Sequence, residues 1–196
     1  MNPRTATVQR LTRETRITAT LCLDGTGQAD ILTGLGFLDH MLTALTTHGR
    51  FDLTLRTEGD LHIDDHHTVE DTALTLGQAL REALGDRRGV QRFGHAYAPL
   101  DEALVRAVID LSGRPWPEVH LDWSRERLGD VATENLTHFF ESLAMSAQMN
   151  LHVDQLRGKN DHHKAEAAFK ATALALRQAV ARSGGDQVPS TKGVLA

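Results

Sequence analysis

The sequence predicts an α+β fold in which one strand and helix unit is used twice. Three observations carry that reading. Strand-like and helix-like stretches follow the same order in both halves, and the cluster His-His-x-x-x-Glu stands at 66–70 and again at 162–166. With His66 set on His162, the apolar positions that follow coincide: Ala73, Ala79, Leu80 and Leu84 fall on Phe169, Ala175, Leu176 and Val180. Upstream, His40 matches His138 after a two-residue gap. An internal duplication is the simplest origin, and two such halves pack their sheets and helices pseudo-symmetrically around one core.

Taken in order, residues 15–23 (TRITATLCL) alternate β-favouring and apolar side chains and stop at the turn pair Asp24-Gly25. Residues 36–49 place Phe37, Leu38, Met41, Leu42 and Leu45 at helical spacing and end at Gly49. FDLTLRT, from Phe51, alternates as a half-buried strand. Asp64 or Asp65 can cap a helix running to about Leu84, with Val69, Ala73, Leu76, Leu80 and Leu84 on one stripe. In the second half, 102–111 and 117–123 read as strands, 134–148 as a helix, MNLHVDQL as a strand and 162–180 as a long helix. Pro117 predicts that its strand starts late or lies at an edge. The charged, glycine-rich stretch 85–94 is the best boundary, giving halves of 1–90 and 91–196 within a single compact unit.

Composition excludes several classes of protein. The chain has 196 residues, 40% apolar and 24% charged, ordinary for one globular domain. No apolar run approaches the ~18–20 residues of a membrane span, and no signal-peptide pattern opens the chain. The single cysteine, Cys22, excludes an internal disulfide, reads as a small core residue and fits a reducing, cytoplasmic compartment. A net charge of −5 with no basic block speaks against nucleic-acid binding.

Eleven histidines remain to be explained. A helix turns about 100° per residue, so positions i and i+4 share a face. His66 with Glu70, and His162 with Glu166, can therefore each chelate one metal ion. His67 and His163 point about 100° away and would have to serve another ion, one route being across a subunit boundary. One such cluster alone would read as a solvated helix face; its repetition at an equivalent place points to metal. By equivalence His40 and His138 join the ligand set. Six histidines and two glutamates divided over two ions give four protein ligands each, leaving two positions of an octahedral ion open, which suits Mn²⁺ or Fe²⁺. His48, two turns beyond His40, lines the site, whereas His62, His95, His120 and His152 are structural.

With these pieces in place the chain resembles the imidazoleglycerol-phosphate dehydratases of histidine biosynthesis. The resemblance runs through RETRI (13–17), GFLDHML (36–42), HHTVEDTALTLGQAL (66–80), RFGHAYAPLDEAL (92–104), DLSGRP (110–115), HFFESLA (138–144), DHHKAEAAFKA (161–171) and PSTKGVL (189–195). Lys164 departs from it, standing where the family often has an apolar residue. The resemblance implies a duplicated unit of the ribosomal protein S5 domain 2-like type. It also implies Mn²⁺, two ions per active site, and trimers joined into a shell of 24 subunits with active sites between neighbours.

The implied chemistry is the dehydration of imidazoleglycerol phosphate to imidazole-acetol phosphate by a monofunctional hydro-lyase, since nothing in the chain resembles a fused histidinol-phosphatase domain. It proceeds through a di-metal-bound imidazolate and a diazafulvene. Glu14, His67 and His163 are the implied catalytic residues, Glu14 moving the proton. His40, His48, His66 and His162 meet the substrate on the imidazole side. Arg92, Arg114, Lys170, Ser190 and Lys192 match the phosphate-binding positions, the last two in a C-terminal substrate-binding tail. A metal-storage scaffold would have no use for the phosphate set. A ferritin-like di-iron oxidase would need four long helices carrying Glu-x-x-His pairs, not interrupted helices carrying His-His-x-x-x-Glu.

Overall fold

The computed structural model describes residues 3–193 and 195. The first half runs β1 (Thr5–Leu11), β2 (Thr15–Cys22), β3 (Ala29–Leu32), α1 (Gly36–Gly49), β4 (Asp52–Gly59) and α2 (His66–Leu84). The second runs β5 (Phe93–Leu100), β6 (Ala103–Asp110), β7 (Trp116–His120), the short ribbon β8 (Arg127–Leu128) and β9 (Val131–Ala132), α3 (Thr133–Ala147), β10 (Asn150–Arg157) and α4 (Asp161–Ala179). Both main sheets have one topology, β1-β2-β4-β3 and β5-β6-β10-β7. In each, three antiparallel strands are followed by a parallel edge strand.

Each sheet buries one face, as an antiparallel sheet backed by helices should. Ile17, Ala19 and Leu21 point inward from β2, Leu53 and Leu55 from β4, and Val105, Ala107 and Ile109 from β6. The helices of the two halves pack on each other, α2 against α3 and α1 against α4, so one apolar core serves both. The eight residues that coincide in the repeat, from Ala73 and Phe169 to Leu84 and Val180, are all buried in it.

Four helices and the strands read from alternation stand within a few residues of their expected bounds. Pro117 lies in β7, the edge strand, where its missing N–H costs no ladder bond. The remaining strands carry little or no alternation. β1 buries only Val8 fully, and β3 has no fully buried residue. β5 starts inside the stretch read as the boundary, because its core contacts come from small residues. A Cβ on Gly94 would run into the Ala175 carbonyl oxygen, so only glycine lets β5 approach α4 this closely. Cys22 is half-buried at the end of β2 rather than in the core.

The helix starts also differ from expectation. Asp64 accepts the His66 N–H at 3.0 Å, but Asp65 turns inward and is 3% exposed. It accepts from the Ala132 N–H, Arg127 and Asn135. Its counterpart Asp161, 2% exposed, accepts the N–H groups of Ser124 and Arg125 and pairs with Lys164 at 2.5 Å. Lys164 is thus buried but paired, and it donates to the Asp122 carbonyl as well. The start of α1 is capped from the other half: Asp130 accepts the N–H of Gly36 at 2.6 Å and of Phe37 at 3.1 Å. A carboxylate there satisfies orphan N–H groups and suits the positive end of the helix.

A clamp on another side of the molecule joins the halves again. Arg4 and Arg182 both reach Asp24, while Arg4 also donates to the Val180 carbonyl at the end of α4. The hydrogen bonds from Arg4 hold the Asp24 carboxyl well below the ordinary carboxylate range, against a burial effect in the other direction.

Two outcomes are expected. Asp130→Ala should cost about 1 kcal/mol in urea unfolding through loss of the α1 cap. Asp24→Asn should cost about 1–2 kcal/mol at neutral pH. Because the folded pKa of Asp24 lies below its unfolded value, the wild-type advantage is complete above about pH 4 and fades as pH falls toward the folded pKa. Thermal unfolding of both proteins across pH 2–7 measures this; a gap that does not change with pH would dismiss the clamp.

Candidate metal centre

The helix packing across the halves assembles two triads. His40 on α1 meets His162 and Glu166 on α4, and His138 on α3 meets His66 and Glu70 on α2. In each triad the three ligand atoms lie within 4.8 Å of one another. Glu166 Oε2 is 3.2 Å from His40 Nε2 and 3.3 Å from His162 Nε2. Glu70 is 3.2 Å from His138 Nε2 and 3.7 Å from His66 Nε2. Two imidazoles and a carboxylate converging through Nε2 and oxygen form a donor set suited to a divalent first-row metal. The i, i+4 pairs come from one helix each, as the spacing predicts; the third ligand comes from the opposite half, which spacing could not reveal.

The second histidine of each pair leaves the triad. Neighbouring rings stand at 77° for His66 and His67 and at 85° for His162 and His163. His67 Nδ1 lies 3.1 Å from Asp60, at the end of β4, and its Nε2 is 3.8 Å from Glu14. His163 Nδ1 lies 2.7 Å from Glu102 and its Nε2 3.8 Å from Asp101. Asp60 and Glu102 thereby raise the pKa of His67 and His163 respectively. Glu102 in turn is lowered to about 2 by the N–H of Asn160 and then by His163. Asp60, Asp101 and Glu102 escaped the sequence reading. Their one signal was position, at strand ends facing the helix starts that carry the histidine pairs.

Glu14 stands on the β1–β2 turn, which Thr12 closes by accepting the Glu14 and Thr15 N–H groups. With Asp60 and His62 it lines an open pocket of about 330 Å³. His62 therefore belongs to the Glu14 pocket and not to the core. His95, His120 and His152 are exposed on the second sheet, outside both triads.

The residues matched to phosphate are dispersed. Lys170 pairs with Glu166 Oε1 at 2.5 Å, one turn beyond the triad. Burial and then the charge of Lys170 lower the pKa of His48. In Glu166 the upward push of burial is outweighed by Lys170, His162 and His40, so its pKa is lowered. Arg92 gives Nε and Nη2 to Asp110 at 2.7 and 3.0 Å and Nη1 to the Pro189 carbonyl at 2.8 Å. Its fork is therefore spent inside the chain, and it anchors the tail in which Ser190 accepts the Lys192 N–H. Arg114 is exposed after β6. No hydrogen bond or ion pair among the described residues links Arg92, Arg114, Ser190 or Lys192 to either triad.

Known proteins match this chain over most of its length. The family profile described as imidazoleglycerol-phosphate dehydratase matches residues 33–176. A dehydratase of that name from Phaffia rhodozyma is 56% identical over 98% of this chain and 96% of its own length. The one from Gluconacetobacter diazotrophicus is 57% identical over 98% of each. A longer relative from Phytophthora nicotianae is 58% identical, the match covering 43% of its length. The crystal structure of the Pyrococcus furiosus enzyme, solved with (S)-C348, superposes with a TM-score of 0.84 at 38% identity, covering 96% of this chain and all of that one. The Staphylococcus aureus enzyme gives 0.82 at 36% identity, over 91% and 99%. Sequence and fold agree over nearly the whole chain, and the chain belongs to the imidazoleglycerol-phosphate dehydratase family of histidine biosynthesis.

Proposed function

We propose that this chain dehydrates imidazoleglycerol phosphate to imidazole-acetol phosphate with Mn²⁺ held at both triads. The observation that supports this most directly is the pair of His/His/Glu triads, each completed by a helix from the other half. When bound, two Mn²⁺ ions would place positive charge at the two ring nitrogens of an imidazole and lower its N–H pKa.

The chain's own residues would do the rest. His40, His66, His138 and His162 with Glu70 and Glu166 form the ligand set. His67 and His163, aimed away from their own triads by Asp60 and Glu102, serve ions shared with neighbouring subunits. That role requires self-association, into trimers and then a shell of 24 subunits. Glu14 handles the carbon-bound proton from its exposed turn beside His67. Loss of that proton and of the neighbouring hydroxyl as water leaves an enol, which tautomerises to the ketone. His48 and Lys170 flank the first triad on the substrate side. Arg114, Lys170, Ser190 and Lys192 receive the phosphate, and Arg92 contributes by holding the tail at Pro189.

The expected outcomes are concrete. Metal-stripped protein should turn over no imidazoleglycerol phosphate until Mn²⁺ is added; a rate indifferent to Mn²⁺ would end the metal reading. Glu14→Ala should keep its assembled mass in light scattering and lose about 10²–10⁴-fold in turnover. His67→Ala should lose both. An unchanged Glu14→Ala rate would remove Glu14 from the reaction.

A further inference from the structure

We infer that the two triads are unequal: His66–Glu70–His138 takes its divalent ion more tightly and fills first, and His40–His162–Glu166 is the weaker, exchangeable site. The inference rests on the metal reading above and concerns what surrounds each triad. The repeat makes the comparison direct. On the alignment that pairs His40 with His138, Phe37 corresponds to Asn135 and Thr43 to Glu141; on the one that pairs His66 with His162, Leu74 corresponds to Lys170. At each of these three places the halves carry different chemistry.

The first difference lies behind the leading histidine. Asn135 Nδ2 donates to the buried carboxylate of Asp65 at 2.9 Å, so its Oδ1 is the atom 2.9 Å from His66 Nδ1. That oxygen can only accept, hence His66 carries its proton on Nδ1 and turns the Nε2 lone pair toward Glu70. A ring fixed in this tautomer by a carboxylate-backed acceptor is a stronger, pre-aimed ligand. His162 has the ring of Phe37 in that place, edge-on at 5.3 Å between centroids. Among the described residues no hydrogen bond reaches His162 Nδ1.

The second difference lies behind the ligand from the other half. His138 Nδ1 has Glu141 at 3.4 Å, an additional acidic partner, where α1 offers Thr43, bonded to the Asp39 carbonyl instead. Ser142 also lies 3.3 Å from His138 Nε2, a neutral contact that an ion would displace. The third difference is charge. Lys170 sits 2.5 Å from Glu166 Oε1 and is 19% exposed, so water screens it little. A fixed cation on the ligand carboxylate opposes a second cation. Glu70 has Leu74 at the matching position and keeps its charge for the ion. All three differences favour the same triad.

Titration of the metal-stripped full chain with Mn²⁺, followed by the electron paramagnetic resonance signal of free Mn²⁺, tests this without reference to turnover. Two classes of sites in equal number should appear, separated by about tenfold or more in affinity. Asn135→Leu should weaken the tighter class about 10–100-fold and spare the other. Lys170→Met should tighten only the weaker class, by roughly severalfold. Because Asn135→Leu also removes one of the donors to the buried Asp65 carboxylate, the half-buried change Glu141→Gln supplies an independent, smaller weakening of the same class. One class of equal sites, or substitutions that move both classes together, would overturn the inference. No Mn²⁺ binding at all would overturn the metal reading and this inference with it, a result distinct from equal sites.

Discussion

Carboxylates spent on backbone N–H groups hold the site together. The segment between β7 and α3 is tied by Asp161 at Ser124 and Arg125, and by Asp65 at Ala132; its own Asp130 caps α1. One loop therefore fixes the starts of α1, α2 and α4, the three helices that carry His40, His66 and His162 within their first five residues. A ligand that close to the start follows any error in where its helix begins. Anchoring the starts to one another transmits little slack to the triads, and the N-terminal dipole favours the anions that do the anchoring. Burial of Asp65 and Asp161 would push both carboxyls up, yet their hydrogen bonds and Arg127 or Lys164 outweigh it and hold both pKa values low.

The histidine pairs work as forks because two different elements aim the two rings. The helix aims the first ring at its own glutamate, one turn along. The sheet aims the second, through Asp60 at the end of β4 and Glu102 at the start of β6. With Nδ1 held by a carboxylate, Nε2 of the second ring is left 3.8 Å from Glu14 in His67 and 3.8 Å from Asp101 in His163. Orientation of a ligand by a hydrogen bond at its other nitrogen is the general device for imidazole at metals.

Much of this was legible in the chain itself. All six residues that meet in the triads are ones the repeat singles out, and the buried stripe after each HHxxxE was readable from period alone. Three kinds of feature were not. Edge strands such as β1 and β3 bury too little to alternate, and β5 reaches the core through Gly94 and Ala98, which have almost no side chain to register a pattern. The pairing of α1 with α4 and of α2 with α3 is a long-range choice that no local spacing encodes. The inward turn of Asp65 is likewise tertiary: its neighbour Asp64 supplies the local helix-start contact, and only the loop from the other half explains why a second aspartate is buried.

The crossing of ligands between halves bears on ancestry. A half-length chain with α1 and α2 alone would own one histidine of one triad and the chelating pair of the other, on helices that belong to different seams. It could complete neither site by itself. Two copies face to face would complete both at once, and identically. In one polypeptide no such identity is required: Asn135 and Phe37, or Lys170 and Leu74, differ while the histidines and glutamates of the two triads match. A duplicated unit in a single chain thus allows two matched triads to carry different surroundings.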